Sequence, residues 1–319
     1  MDNQSAITEF LLLEFSSIRE LQILHFFLFL VLYLAILSGN LLIISAVAFD
    51  HHLHTPMYFF LMTLAVQDIG SVSVTIPKSI FNSLMDIRHI SYSGCVAQVL
   101  LFVFFIGSDF ALLTAMAYDR YVAICNPLHY ETVISMRSCK EIIAIVWISS
   151  FLYAFLHTGG TFSNTFCSNV VDQFFCEIPH LLKLACSDLY LIETGVVVLS
   201  FIVALGCFIL IVVSYTHIFS AVRKIPTIQG RKKAFSTCLP HLIVLSIFLF
   251  TVSFAYLGLN SKTPSHLDIA FTMIYSVFPP FINPIIYSMR NKEIKNALSK
   301  LLGLRHPCMN IFSSLLLHR

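Results

Sequence analysis

A chain of 319 residues that is 57% hydrophobic and only 11% charged lacks the polar surface of a soluble globule, in which roughly a quarter of residues carry charge. Its mean hydropathy of +0.84 points the same way, and excludes a disordered chain, a nucleic-acid binder and a secreted disulfide scaffold. The net charge of +2 says little as a total; where the charges fall matters more. This is an integral membrane protein.

A bilayer core of roughly 30 Å needs about 20 apolar residues per spanning helix. In chain order the stretches that qualify are Ile23–Phe49, Met57–Pro77, Gly94–Tyr118, Ile142–Phe162, Thr194–Phe219, Ala234–Leu259 and Ile269–Met289. They contain two acidic residues, Asp68 and Asp109, and no Lys or Arg. Each is too long for a strand of a membrane barrel. The expected fold is all-α: a seven-transmembrane bundle over 23–289, an outer segment 1–22, and a tail 290–319 opening with a short amphipathic helix.

Orientation follows from Lys and Arg. With the N-terminus outside, only Arg19, Lys78, Arg88, Lys183 and Lys262 of the 19 basic residues fall on the outer side, as the positive-inside rule requires. The start of the chain, with Asp2, Glu9, Glu14 and Glu20 against Arg19, makes a poor signal peptide, so the first span serves as its own targeting signal. Asn3-Gln4-Ser5 is a glycosylation sequon on the outer side. Cys95, Cys167, Cys176 and Cys186 also fall outside, an even set in an oxidising compartment, which predicts two disulfides. Spacing alone allows three pairings.

Ionisable groups inside a membrane are costly and mark function. Counting from the inner helix ends, Asp68, Asp109 and Asn40 all lie roughly 16 Å from the cytosolic face, and Asn283 roughly 10 Å. Two carboxylates at one depth repel unless a cation or proton separates them, so a sodium ion or a shared proton is expected there. Pro284 frees a carbonyl within the last span, one turn beyond Pro279 and Pro280, which makes a natural hinge above Tyr287. Tyr118-Asp119-Arg120-Tyr121 closes the third span. Its arginine can pair with Asp119, swing to a docking protein, or simply snorkel to the interface.

Gly39-Asn40, Asp68, Asp119-Arg120-Tyr121 and Asn283-Pro284-Ile285-Ile286-Tyr287 together resemble the rhodopsin-like G-protein-coupled receptors. Longer strings narrow the resemblance to vertebrate olfactory receptors: Pro56-Met57-Tyr58-Phe59-Phe60-Leu61, Met116 through Cys125, Pro127-Leu128-His129-Tyr130, Ser214-Tyr215, Lys233 through Cys238 with His241, and Tyr287-Ser288-Met289-Arg290-Asn291. The resemblance implies the pairings Cys95–Cys176 and Cys167–Cys186. It also implies a volatile ligand entering from the outer side, coupling to a stimulatory olfactory-type heterotrimeric G protein and a rise in cyclic AMP. Its switch set maps onto Asp119, Arg120, Tyr121, Tyr215, Asn283, Pro284 and Tyr287. The chain departs from the family pattern at Phe248-Leu249-Phe250, which stands where the family carries Phe-Tyr-Gly, and at Pro240, which stands for a small residue. The loop from Cys167 to Cys176 is one residue shorter than usual.

On the third span Phe102, Val103, Ile106, Gly107 and Phe110 form one stripe at three- and four-residue steps, with Gly107 leaving room among bulky neighbours. By periodicity alone such a stripe is ordinary packing; the resemblance makes its outer half a ligand wall. Opposite it the resemblance places Leu199 and Ser200, then Val252, Ser253 and Tyr256, then Met273 and Ser276. An apolar cavity with a few hydroxyls suits a small, mostly hydrophobic ligand. No acid lies in the outer part of the stripe, which argues against a biogenic amine. Neither a transporter, which needs paired broken helices or internal repeats, nor an enzyme built on His51, His52, His54 and His129 has the remaining parts it requires. The chain is expected to be a non-enzymatic plasma-membrane receptor with no cofactor beyond that ion.

Overall fold

The computed structural model describes residues 7–13, 18–186, 190–257 and 266–303. The side chains of 190–194, 252, 254–257, 266–270 and 290 lie outside that description, as do Asn3 and Cys308.

Seven long helices cross the membrane: α1 (Arg19–Phe49), α2 (Pro56–Met85), α3 (Tyr92–Cys125), α5 (Met136–Phe162), α7 (Tyr190–Lys224), α8 (Ile228–Leu257) and α9 (His266–Arg290). The first six of these are apolar and long enough to span by composition alone. Between them lie two single-turn helices, α4 (Tyr130–Val133) and α6 (Ile178–Leu182), and α10 (Lys292–Leu301) follows the last span. Several helices outrun the apolar stretches read from the sequence. A helix continues into water once its caps are met, whereas apolar composition stops at the hydrocarbon edge.

Local chemistry sets the ends. α2 opens on Pro56 in its first turn, where a missing N–H costs nothing, and stops at Asp86, which adopts a left-handed φ of 55°. Ser91 Oγ caps α3 by accepting from Gly94 N, and Ser135 Oγ caps α5 by accepting from Ser138 N. Asp50 ends α1 and accepts from the backbone N–H of His52, turning the chain toward α2.

α3 runs through the middle, touching α2, α5, α7 and α8, while α1 packs on α2 and α9. α2 and α3 approach closely at Gly70, where an added Cβ would lie 2.2 Å from the Phe105 ring. The largest apolar cluster fills the cytoplasmic half, around Leu64, Leu113, Ile218 and Tyr287. α10 lies against the inner end of the bundle with Ile294 and Ala297 buried. Asn291 caps it, and Tyr58 of α2 donates to Glu293 while its oxygen accepts from Asn291 Nδ2 at 3.0 Å.

The outer face holds a three-stranded sheet in the order β2-β1-β3. The central strand β1 (Glu9–Leu12) comes from the N-terminal segment, antiparallel to β2 (His89–Ser91) and parallel to β3 (Val170–Val171). Phe10 and Leu12 point into an apolar cluster with Cys95, Phe166 and Cys176. The outer segment is therefore part of the fold, and not merely a leader to the first span.

Candidate functional site

The roof comes first. Disulfides join Cys95 to Cys176 and Cys167 to Cys186. The first fastens the long second outer loop to the top of α3, and Gln98 reinforces it. Its Oε1 accepts from Cys176 N at 2.8 Å, and its Nε2 donates to Val74 O at 2.9 Å. Farther across, Gln173 Nε2 donates to Thr272 Oγ1 at 2.9 Å, and Tyr275 Oη donates to Glu177. Phe174 and Phe175 turn inward beside Phe102 and Tyr275 and are almost fully buried.

Beneath this roof is a narrow cavity of about 20 Å³, room for about one water molecule. Its walls come from α2, α3, α8 and α9, and it runs from Phe102, Ile106 and Tyr275 down to Asp68, Asp109 and Asn283. The expected ligand wall of α3 and the acidic layer therefore share one space. At its floor Asn283 Nδ2 faces both Asp68 oxygens, at 3.0 and 3.2 Å. With its amide turned so that Nε2 faces the acid, Gln67 donates to Asp109 Oδ1 at 2.8 Å and accepts from Ser108 Oγ and Trp147 Nε1. Asn40 is turned elsewhere, its Nδ2 donating to Ile36 O and Pro280 O, so it joins α1 to α9.

Helical spacing placed several candidate residues on one stripe, but the bundle gives them different neighbours. Phe102, Ile106 and Ser276 line the cavity. Val103 packs under the outer sheet, and Met273 packs between the first-span cluster and the Phe102 cluster. Gly107 faces away from the cavity, where a Cβ would sit 3.4 Å from Tyr153 on α5. Leu199 is 47% exposed on the lipid side of α7. Ser200 accepts from His157 Nε2 at 2.6 Å and donates to Val196 O, closing a joint between the fourth and fifth spans. Ser253 is exposed, and the side chains of Val252 and Tyr256 lie outside the described residues. From α8, Phe248 completes the wall, stacking on Phe110 at 5.8 Å.

Sequence reasoning also missed Glu177. It follows a loop cysteine and reads as a solvated acid until the loop folds inward. Burial then pushes its carboxyl up to about 7, against the opposing pull of the Tyr275 hydroxyl and Lys183. Its Oε2 is buried without a hydrogen-bond partner among the described residues.

At the cytoplasmic end Asp119 and Arg120 are both buried but not paired with each other. Asp119 Oδ1 accepts from Tyr130 Oη at 2.7 Å, and burial beside this acid drives the Tyr130 hydroxyl upward in pKa. Arg120 Nη1 donates to Met57 Sδ, and its Nε has no partner among the described residues. Above them His241 bridges three helices. Leu113 O can only accept, so the proton sits on His241 Nε2 (3.0 Å), and Nδ1 accepts from Tyr215 Oη at 2.6 Å. Tyr287 is buried with its hydroxyl unpartnered among the described residues, and Pro284 packs against Gly39. Tyr121 packs near His217 of α7. In the inner loop His52 pairs with Asp50, whose carboxyl its bonds hold at about 2, and among the described residues no His, Cys, Asp and Glu cluster could hold a metal.

Comparison with known proteins agrees with this architecture. The olfactory receptor family model matches residues 29–305. Human olfactory receptor 14I1 is 53% identical over 302 residues, covering 94% of this chain and 97% of its own length. Human olfactory receptor 14A16 is 47% identical, covering 95% and 98%. Squid rhodopsin superposes with a TM-score of 0.71 over 92% of this chain and 88% of its own, at 16% identity, which speaks to fold alone. A seven-helix bundle with a roofed cavity, a buried arginine at the inner end of α3 and this extent of identity leave one assignment: the chain belongs to the olfactory receptor family, a multi-pass plasma-membrane receptor and not an enzyme.

Proposed function

We propose that this receptor detects small, mostly hydrophobic odorants that widen and fill the narrow cavity between the second, third, sixth and seventh spans. Ligand binding there shifts α8 relative to α3 and opens the cytoplasmic end to a stimulatory, olfactory-type heterotrimeric G protein, raising cyclic AMP. The observation that carries this reading is continuity. Phe248 lines the cavity on α8, and His241, two turns below it, ties that helix to Tyr215 and Leu113 beside the buried Arg120. A ligand pressing on Phe248 therefore acts on the helix whose inner end the bridge restrains. Polar contacts are few, which fits recognition by shape and apolar area.

The acidic layer at the cavity floor holds a sodium ion or a shared proton in this reading. Asp68 and Asp109 supply the negative charge, and Asn283 Oδ1, buried without a partner among the described residues, supplies a neutral oxygen. Hard cations take such oxygen donors. Replacing external sodium with choline should shift agonist potency if the ion is bound, and leave it unchanged if a proton serves instead.

The test of the main reading is cyclic AMP output from cells expressing the chain with the olfactory-type G protein, exposed to a library of volatiles. At least one small hydrophobic volatile should elicit a saturable response. Silence at confirmed surface expression, or a response only with an inhibitory G protein, would overturn the reading.

A further inference from the structure

The polar atoms around the cavity share a hydrogen-bonding character. Ser71 Oγ donates its proton to Asp68 O at 3.1 Å, and Ser276 Oγ donates to Thr272 O at 2.7 Å, each within its own helix. Tyr275 Oη donates to Glu177. A hydroxyl has one proton, so each of these, once engaged, turns only lone pairs toward the space between the helices. Asn283 directs Nδ2 at both oxygens of Asp68 and keeps a buried Oδ1 with no partner among the described residues, although the residue is only 4% exposed. Asp68 and Asp109 offer acceptor oxygens even when they share a proton. The remaining wall, including Phe102, Ile106 and Phe248, is apolar.

This lining discriminates among odorant chemistries. An ester, ketone or ether brings only an acceptor oxygen, which would face other acceptors and leave both sides unpaired once water is excluded. A buried acceptor without a donor is penalised more heavily than a satisfied pair is rewarded. A hydroxyl-bearing ligand supplies the missing proton. Resting on the receptor reading above, we propose that the receptor selects alcohols: amphiphiles whose hydroxyl donates toward Ser71 or Ser276 while the hydrocarbon chain lies against Phe102, Ile106 and Phe248.

The experiment is a cyclic AMP dose–response on cells expressing the full chain, using chain-length-matched sets of primary alcohol, methyl ether, aldehyde and alkane. The alcohol should be about ten-fold or more potent than its ether and aldehyde partners, the ratio expected when one buried hydrogen bond is made or lost. Ser276→Ala, compared at matched surface density, should narrow the gap between alcohol and ether while leaving the ether nearly unchanged. Ethers or aldehydes equal to or better than alcohols overturn the proposal. So do responses to other volatile classes with none to any alcohol, an outcome that leaves the receptor reading standing. Silence to every compound at confirmed surface expression overturns the receptor reading and this one with it.

Discussion

Arg120 is the residue on which signalling should turn. It is buried at the inner end of α3 with Met57 as its side-chain neighbour and no acid paired to it among the described residues, while Asp119 is engaged by Tyr130. An arginine held by a weak thioether acceptor can be released at little cost to meet a partner. Arg120→Ala should therefore reach the surface and bind agonist with unchanged affinity yet raise no cyclic AMP; retained signalling at matched density would return it to an anchoring role. Glu177 makes a pH prediction. Its folded value of about 7 lies above the ordinary 4.5, so its contribution to stability is full below about 4.5 and lost as pH rises through about 7. Thermal stability of the purified receptor should fall between pH 5 and 7.5, and Glu177→Gln should flatten that dependence. An unchanged slope in the variant would place the titrating group elsewhere. Arg120 was legible because its string is long and in register. Glu177 was not, because its burial arises from loop folding that no local pattern announces.

Among the elements, the outer sheet is the least visible in the sequence. Three strands of two to four residues are too short for alternation to register, and they form only because β1 is drawn between two loops. Phe10 at its centre is fully buried. Phe10→Ala should cost about 3–5 kcal/mol of roof stability and sharply reduce surface expression, measurable by staining of live cells. Normal staining would mean the sheet contributes little. The same scale explains why the third-span stripe was only half legible. Spacing groups Gly107 with Phe102 and Ile106, but which helix faces each residue depends on how α5 and α2 pack around α3. At Gly70 that packing admits no side chain, so Gly70→Ala must push Phe105 aside, an overpacking cost of about 1–3 kcal/mol that a thermal melt should register. The spans themselves were readable because 20 apolar residues without a charge have few other uses. Their true ends were not, since capping and not hydropathy decides them.

At the scale of the whole molecule the cavity, the His241 bridge and the buried Arg120 lie in series down one side of α3. Roof, floor and cytoplasmic end are joined through helices that the sequence located but did not orient. The lipid-facing surface of α7 illustrates the difference: Leu199 sits at a position the family resemblance assigns to the pocket, yet here it is exposed on the outside of the bundle. If an odorant in the roofed cavity drives the receptor, filling that cavity must blunt the response while a bulky change on the lipid face must not. Cyclic AMP dose–response curves are recorded for an identified agonist on the unaltered chain, Ile106→Trp and Leu199→Trp at matched surface density. Filling the cavity at Ile106 should raise the half-maximal concentration at least about ten-fold, the equivalent of about 1.4 kcal/mol, or abolish the response, while the lipid-facing change at Leu199 leaves the curve in place. A normal response from Ile106→Trp, together with a lost response from Leu199→Trp, would place the ligand site outside this cavity.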